Sequence, residues 1–168
     1  MDVFLAIASK RDLKTYADRP LPLEAVERIL DAGRLAGSAR NRQPWQFVVV
    51  EDATRRDRLA QAVYAPDNVL TAGLVVAVAV RGSASFDCGR AAQNMMLAAW
   101  NDGIGSSPNG LADRDAAREA LDLDDDLDIA IVLSFGYPAR PSDPSRHTPE
   151  EWSARANRRP PAEIVQRI

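Results

Sequence analysis

Gly37-Ser38-Ala39-Arg40-Asn41-Arg42-Gln43-Pro44-Trp45-Gln46-Phe47-Val48-Val49-Val50 is the stretch whose reading decides the fold. A polar, donor-rich loop stops at a Pro-Trp pair, and a short apolar run with a β-branched tail follows at once, which reads as a loop entering a buried strand. Pro44 lacks an amide hydrogen and restricts Gln43 to extended conformations, so the loop enters the strand stiffened. Ser38, Arg40, Asn41, Arg42 and Gln43 place five hydrogen-bonding side chains in six positions. A plain connection needs fewer; taken alone, the stretch fits a ligand loop and a solvated turn anchored by Trp45 equally well.

Outward from this loop, alternation and apolar spacing define the neighbouring elements. Upstream, Leu23, Val26, Ile29, Leu30 and Gly33 recur at helical spacing to about Ala36, with Pro22 suited to the first helical position and Glu24, Glu27, Arg28 and Asp31 facing out. Downstream, Thr54 is the expected cap of a helix carrying Leu59 and Val63 inward, and Ala65-Pro66-Asp67-Asn68 breaks it. Leu74–Val80 is continuously apolar, as in a strand covered on both faces, and Ile129–Phe135 repeats the pattern. Between them, Ser83 or Ser85 is placed to cap a long helix from about Phe86 to Asn101, whose inward positions Cys88, Ala91, Ala92, Met95, Met96 and Ala99 are small or flexible. Gly103-Ile104-Gly105-Ser106-Ser107-Pro108-Asn109-Gly110 reads as a loop; Pro108 and the preceding helix exclude a dinucleotide fingerprint.

Composition narrows the function classes. At 168 residues and 46% apolar the chain fits one globular domain, and a net charge of −3 gives no electrostatic case for nucleic acid or an anionic membrane. One cysteine, Cys88, excludes an intrachain disulfide, and one histidine, His147, leaves no Cys/His zinc cluster. The N-terminus lacks the basic start of a signal peptide, and the longest apolar run is about a third of a bilayer span, so a cytoplasmic protein is expected. The acidic run from Asp122 to Asp128 lacks the spacing and glycine of a calcium loop and reads as a solvated turn. No nucleophile elbow accompanies His147, which argues against a hydrolase.

A short helix over residues 2 to 9 leads into Lys10-Arg11-Asp12-Leu13-Lys14-Thr15-Tyr16. Lys10, Arg11 and Lys14 either hold a phosphate by charge-assisted hydrogen bonds or merely complement a helix dipole. From Ala139 the chain turns to Pro, Ser, Arg and Glu and cannot build a core of its own; it is either disordered or laid along another surface by Trp152, Ile164 and Val165.

Four separated pieces resemble one family. Lys10 to Tyr16 resembles the basic N-terminal phosphate motif of the FMN-dependent nitroreductase family, and Gly37-Ser38 through Asn41-Arg42-Gln43-Pro44-Trp45 is similar to its flavin loop. Asp87 to Gly110 is similar to its central helix and flavin-edge loop, and Asn157-Arg158-Arg159-Pro160 resembles its C-terminal arginine. Asp12 stands where a serine is common and Gly37 where a proline is usual.

The resemblance implies an α+β fold with a central mixed β-sheet flanked by helices. A core over residues 1–138 would be followed by an extension, 139–168, wrapping the partner in a homodimer. It implies FMN as cofactor, NAD(P)H as electron donor, and a nitro compound, quinone or similar small-molecule acceptor reduced by ping-pong hydride transfer through flavin N5, with no catalytic side chain, no metal, no nucleic acid and no membrane. By the match, Lys10, Arg11, Lys14 and Arg158 hold the phosphate, with Asp12 beside them. Ser38 and Ala39 contact the flavin held by the partner, and Asn41 and Gln43 shape the loop or reach the ring. Pro108, Asn109 and Gly110 lie along the isoalloxazine. A deazaflavin, flavin consumption with oxygen, or a flavin-binding dimer without turnover are the alternatives.

Overall fold

A computed structural model describes residues 1–82 and 85–168, and of Ser85 the backbone only. In chain order the helices are α1 (Val3–Ser9), α2 (Leu23–Arg34), α3 (Ala53–Gln61), α4 (Pro66–Leu70), α5 (Ser85–Asn101), α6 (Arg114–Leu121), α7 (Pro149–Arg155) and α8 (Pro161–Ile164); the strands are β1 (Trp45–Val49), β2 (Leu74–Arg81), β3 (Gly105–Asn109) and β4 (Leu127–Gly136). They form two compact units, Arg11–Pro141 and Met1–Lys10 with Ser142–Ile168.

The larger unit is built on one sheet of order β1-β2-β4-β3. Its centre is the apolar run read in the sequence: every residue of β2 from Leu74 to Val80 is buried. Alternate residues serve opposite faces, as the strand period of two requires. Val76, Val78, Leu133 and Phe135 pack with Ile29 of α2 and Cys88, Ala92, Met95, Met96 and Ala99 of α5. Val75, Ala77, Ile129 and Val132 pack with Leu59 of α3, Val69 of α4 and Ala117, Ala120 and Leu121 of α6. The register slips between Val78, paired with Ile131, and Ala79, paired with Ile129, so Ala130 is the extra residue of a bulge. Ala130 and Ile131 accordingly both pack on the α2–α5 side.

The named strands all pair antiparallel, where a mixed sheet was expected. The mixed sheet was implied by the family resemblance; the strands themselves are buried on both faces as read, and two helical layers bury an antiparallel pair as well as a parallel one. The parallel pairing is an isolated bridge, Asp12 to Ser106. Residues 105–109 are a strand and not a loop: glycine, serine and proline hide it from propensity, and the ladder to β4 creates it.

Helix ends differ from expectation in two places. Asp52 caps α3 by accepting from the Arg55 amide at 2.8 Å, because the helix starts one residue before Thr54. Pro22 precedes α2 as its N-cap, and Leu23 is exposed instead of joining the apolar face. Asp113 caps α6 through the Ala116 amide at 3.0 Å. The cap assigned to Ser83 or Ser85 lies outside the described side chains.

The smaller unit contains α1, capped by Asp2, and the chain from Ser142. The polar tail forms α7 behind a Thr148–Glu151 capping box, and the Trp152 indole N–H donates to the Pro144 carbonyl at 2.8 Å. His147 stands edge-on to the Trp152 ring at 4.9 Å. Ile164 and Val165 remain more than half exposed.

Close approach decides how the segment after Lys10 seats on the sheet. A Cβ on Gly136 would come within 2.7 Å of the Tyr16 ring, and one on Gly105 within 2.5 Å of Leu13. Only glycine at these positions lets the segment lie flat. Gly136→Ala should therefore destabilise the protein by about 1–3 kcal/mol through overpacking. Urea unfolding should show the fall as a lower midpoint with unchanged slope; an unchanged midpoint would mean Tyr16 seats elsewhere.

Candidate functional site

The opening loop is held in a costly conformation. Arg40, Asn41 and Gln43 have φ of 53°, 55° and 49°, so Gln43 is left-handed and not extended ahead of Pro44 as expected. Left-handed backbone costs a non-glycine residue roughly 1–2 kcal/mol, so contacts around the loop must over-determine its shape. The Ser38 hydroxyl accepts from the Gln43 amide at 2.8 Å, the Asn41 amide donates to the Ser38 carbonyl at 3.0 Å, and the Ala39 amide donates to the Asp87 carboxylate at 3.2 Å. Asp87, on the first turn of α5, is buried. Sequence reading passed over it; an acidic residue at a helix start was the available signal. The Arg90 guanidinium occupies the space a side chain at Gly37 would need.

With its backbone fixed internally, the loop turns Arg40, Asn41, Arg42 and Gln43 outward. Arg42, Gln43, Pro44 and Trp45 form one wall of a cleft of about 630 Å³, closed by Arg81, Gly82 and Asp87.

A second cluster forms at β3. The segment after Lys10 runs along this strand: the Leu13 amide donates to the Ser106 carbonyl at 3.0 Å, and Asp12 makes the bridge to Ser106. Leu13 packs towards the core while Asp12 and Lys14 are exposed and Arg11 is half-buried. Arg11, Asp12 and Lys14 are thereby brought to the strand that carries Pro108 and Asn109. Pro108 and Gly110 are exposed; Asn109 is 3% exposed, its side chain turned inward, which leaves only its main chain for a ligand. Lys10 and Arg158 belong to the smaller unit, Lys10 ending α1 and Arg158 exposed beside Asn157, whose φ is 49°. Ser106 Oγ is buried without a hydrogen-bond partner, as are Arg56 Nε and Arg118 Nε among the described residues.

Behind β3 lies a polar network that sequence reading missed. Asn68 of α4 donates to Asn109 Oδ1 at 2.8 Å, and Asn109 Nδ2 faces the carbonyls of Ser107 and Val132 and the hydroxyl of Ser134 at 3.1, 3.2 and 3.1 Å. The Tyr16 hydroxyl lies 2.9 Å from the Ser134 hydroxyl. The one legible hint was Ser134, the single polar residue in the run from Ile129 to Phe135.

The acidic run is tied to arginines. Arg81 reaches Asp126 at 2.6 Å, Arg114 reaches Asp128 at 3.0 Å, and Arg55 reaches Asp122 at 3.6 Å. Among the described residues, no group of three or more His, Cys, Asp or Glu side chains is arranged to hold a metal. Nor is any helix long and apolar enough to cross a membrane.

The nitroreductase family model matches residues 7–81 and 79–137, which hold the loop, β3 and the network behind it. The chain belongs to the nitroreductase family. An Archaeoglobus fulgidus protein provisionally named NADH dehydrogenase/NAD(P)H nitroreductase is 32% identical over 167 residues, covering 87% of this chain and 96% of its own. A Methanothermobacter thermautotrophicus protein with the same provisional name is 30% identical over 171 residues, covering 90% and 88%. Among solved structures, a nitroreductase family protein from Clostridium difficile superposes with a TM-score of 0.83 at 25% identity, covering 99% of this chain and 98% of the other. The protein is an oxidoreductase, and its fold is that of the family.

Burial pushes the Tyr16 phenol from 10.0 up to about 12; the hydrogen bond to Ser134 works against that rise and the Asp12 carboxylate adds to it. A folded-state value above the unfolded one makes stability fully present below pH 10 and lost as pH rises towards 12. Denaturation midpoints measured across that window should fall in the wild type, and the part of the fall due to Tyr16 should vanish in Tyr16→Phe. A phenolate band appearing in full at pH 10 would contradict the burial.

Proposed function

We propose that this protein binds FMN and passes reducing equivalents from NAD(P)H to a nitro compound, a quinone or a similar small acceptor. The observation that carries the reading is the pairing of Asp12 and Leu13 with Ser106, which sets their chain neighbours Arg11 and Lys14 against the strand that carries Pro108. A flavin phosphate is dianionic, and an arginine beside a lysine answers it with charge-assisted hydrogen bonds in a protein of net charge −3. The exposed Pro108 and Gly110 offer a flat edge with little side chain, suited to a planar ring. The donor set therefore fits FMN. Asp12 is tied to Ser106 through the main chain, so its backbone is fixed beside the cations. Lys10 and Arg158 enter the reading through the family resemblance.

Bound FMN would supply hydride acceptance and donation at N5. The chain's own part is to hold the phosphate with Arg11 and Lys14, to present the Pro108–Gly110 edge, and to keep the loop from Ser38 to Gln43 rigid. That loop contributes Ser38, Ala39, Asn41 and Gln43 to the cofactor of a partner subunit in a homodimer, and the extension over 139–168 embraces that partner. Such a protein works in the cytoplasm.

Purified protein should show flavin absorption bands, or gain them on FMN titration, and anaerobic NAD(P)H should bleach them. A single deazaflavin band would replace FMN in the reading, and no uptake at all would end it. Arg11→Ala and Lys14→Ala should each weaken FMN binding by about 1–3 kcal/mol, the scale of a hydrogen bond to a charged group. Unaltered affinity in both variants would remove the phosphate role. Deleting residues 139–168 should weaken dimerisation and lower flavin content; a truncated protein that stays fully dimeric with full flavin content would show the extension to be passive.

A further inference from the structure

The buried network behind β3 joins two parts of the proposed flavin site that sequence keeps far apart. Tyr16 lies two residues after Lys14, Ser134 is on β4, Ser107 and Asn109 are on β3 beside Pro108 and Gly110, and Asn68 is on α4. Donors and acceptors can be assigned by exclusion. Asn109 Oδ1 accepts from Asn68 at 2.8 Å, which leaves Nδ2 to donate and fixes the orientation of the amide. Nδ2 has two hydrogens for three acceptors, the Ser107 and Val132 carbonyls and Ser134 Oγ. Ser134 Oγ receives from Asn109 and can send its own proton to the Ser107 carbonyl at 3.3 Å; the Tyr16 hydroxyl, 2.9 Å from Ser134 Oγ and 3.2 Å from the Ser134 carbonyl, then donates to this residue. Each hydroxyl and amide then has a partner, which a buried group requires.

Two features distinguish this network from ordinary core packing. Tyr16 is 9% exposed, and its ring lies so close to Gly136 that ring packing alone would hold it in place; the hydroxyl adds a directional tie. Asn109 is the last residue of an edge strand, and Gly110 beyond it donates no side chain to any core; its carbonyl accepts from the Tyr64 amide at 3.1 Å. The amide group of Asn109 is thus the main side-chain anchor of that edge.

We propose that Tyr16, Ser134, Asn109 and Asn68 form a positioning network that registers the Pro108–Gly110 edge against the Arg11–Lys14 segment, and so sets how closely the main chain at Gly110 meets the flavin ring. The functional half rests on the FMN reading above; the mechanical half does not. All four side chains are buried, so none is exposed for a ligand to meet. Their effect is transmitted through the placement of the backbone, and a shift of a few tenths of an ångström there alters how strongly a main-chain donor favours the reduced over the oxidised ring.

Two measurements separate the halves. In FMN-free protein, hydrogen exchange of the amides at residues 109–111 should accelerate at least tenfold in Tyr16→Phe, which keeps the ring and loses only the hydroxyl. Ser134→Ala should do the same, and the double variant should exceed the faster single by less than twofold, because both remove one shared network. Ser134→Thr, which restores a hydroxyl, should return exchange towards the wild type. Unchanged exchange in Tyr16→Phe overturns the proposal, even where Ser134→Ala fails to fold. In protein loaded with FMN, Tyr16→Phe should leave the affinity for oxidised FMN within about twofold while changing the ratio of reduced to oxidised affinity at least fivefold, read as a shift in midpoint potential. Faster exchange with an unmoved potential overturns the functional half alone. A wild type that takes up no FMN overturns the FMN reading together with that half.

Discussion

The pairing of β2 with β4 is the constraint on which the larger unit depends. Both strands carry apolar residues on both faces, so neither can stand at a solvent boundary, and helices must close each side. The two closures differ. On one face, α2 and α5 cross with small and flexible residues between them, and on the other α3, α4 and α6 cover smaller side chains. The bulge at Ala130 lets β4 satisfy both layers, turning two successive residues to the α2–α5 side before alternation resumes.

With the centre sealed, the chain's polar chemistry is confined to the edges, and both edges are managed. β1 is entered from a loop whose left-handed residues are locked by Ser38 and tied to α5 by Asp87. β3 is covered by the extended segment after Lys10, which blunts an edge otherwise open to pairing. The same covering strand carries Arg11 and Lys14. Protection of an edge and placement of cations are therefore one structural act in this chain, which explains why Gly105 and Gly136 underneath have no room for a side chain.

The parts legible in sequence were those whose signal is local. The loop from Gly37 to Trp45, the strand after it, the apolar run from Leu74 and the small inward positions of α5 all follow from spacing within one element. β3 was illegible for a physical reason: Gly105, Ser106, Ser107 and Pro108 have poor strand propensity, and only the partner β4 makes them extended. The network was illegible for another. Tyr16 and Ser134 are 118 positions apart and Asn68 and Asn109 are 41 apart, so nothing in either neighbourhood announces the pair. Asn68 in fact reads as part of a helix breaker, and only the fold shows that its amide points inward. The cap of α3 was misplaced by two residues because Asp52 and Thr54 are both competent caps, and the start of the helix, not chemistry, chooses between them.

Charge distribution connects these observations to chemistry. The run from Asp122 to Asp128 could have set a strongly negative field across the end of the sheet where β2 finishes and β4 begins. Arg55, Arg114 and Arg118 each face one of its carboxylates and Arg81 faces two, at 2.6 to 4.0 Å, so much of that charge is answered at short range. Those pairs are solvent-exposed and contribute little to stability. Their effect is on the field: beyond about one Debye length, roughly 8–10 Å, an answered charge scarcely registers. An acidic protein that neutralises its acidic run locally can keep a cationic segment attractive to an anion elsewhere on its surface. That is the condition a phosphate site on Arg11 and Lys14 requires, and it is met by the arginines of α3, β2 and α6 without any of them joining the site.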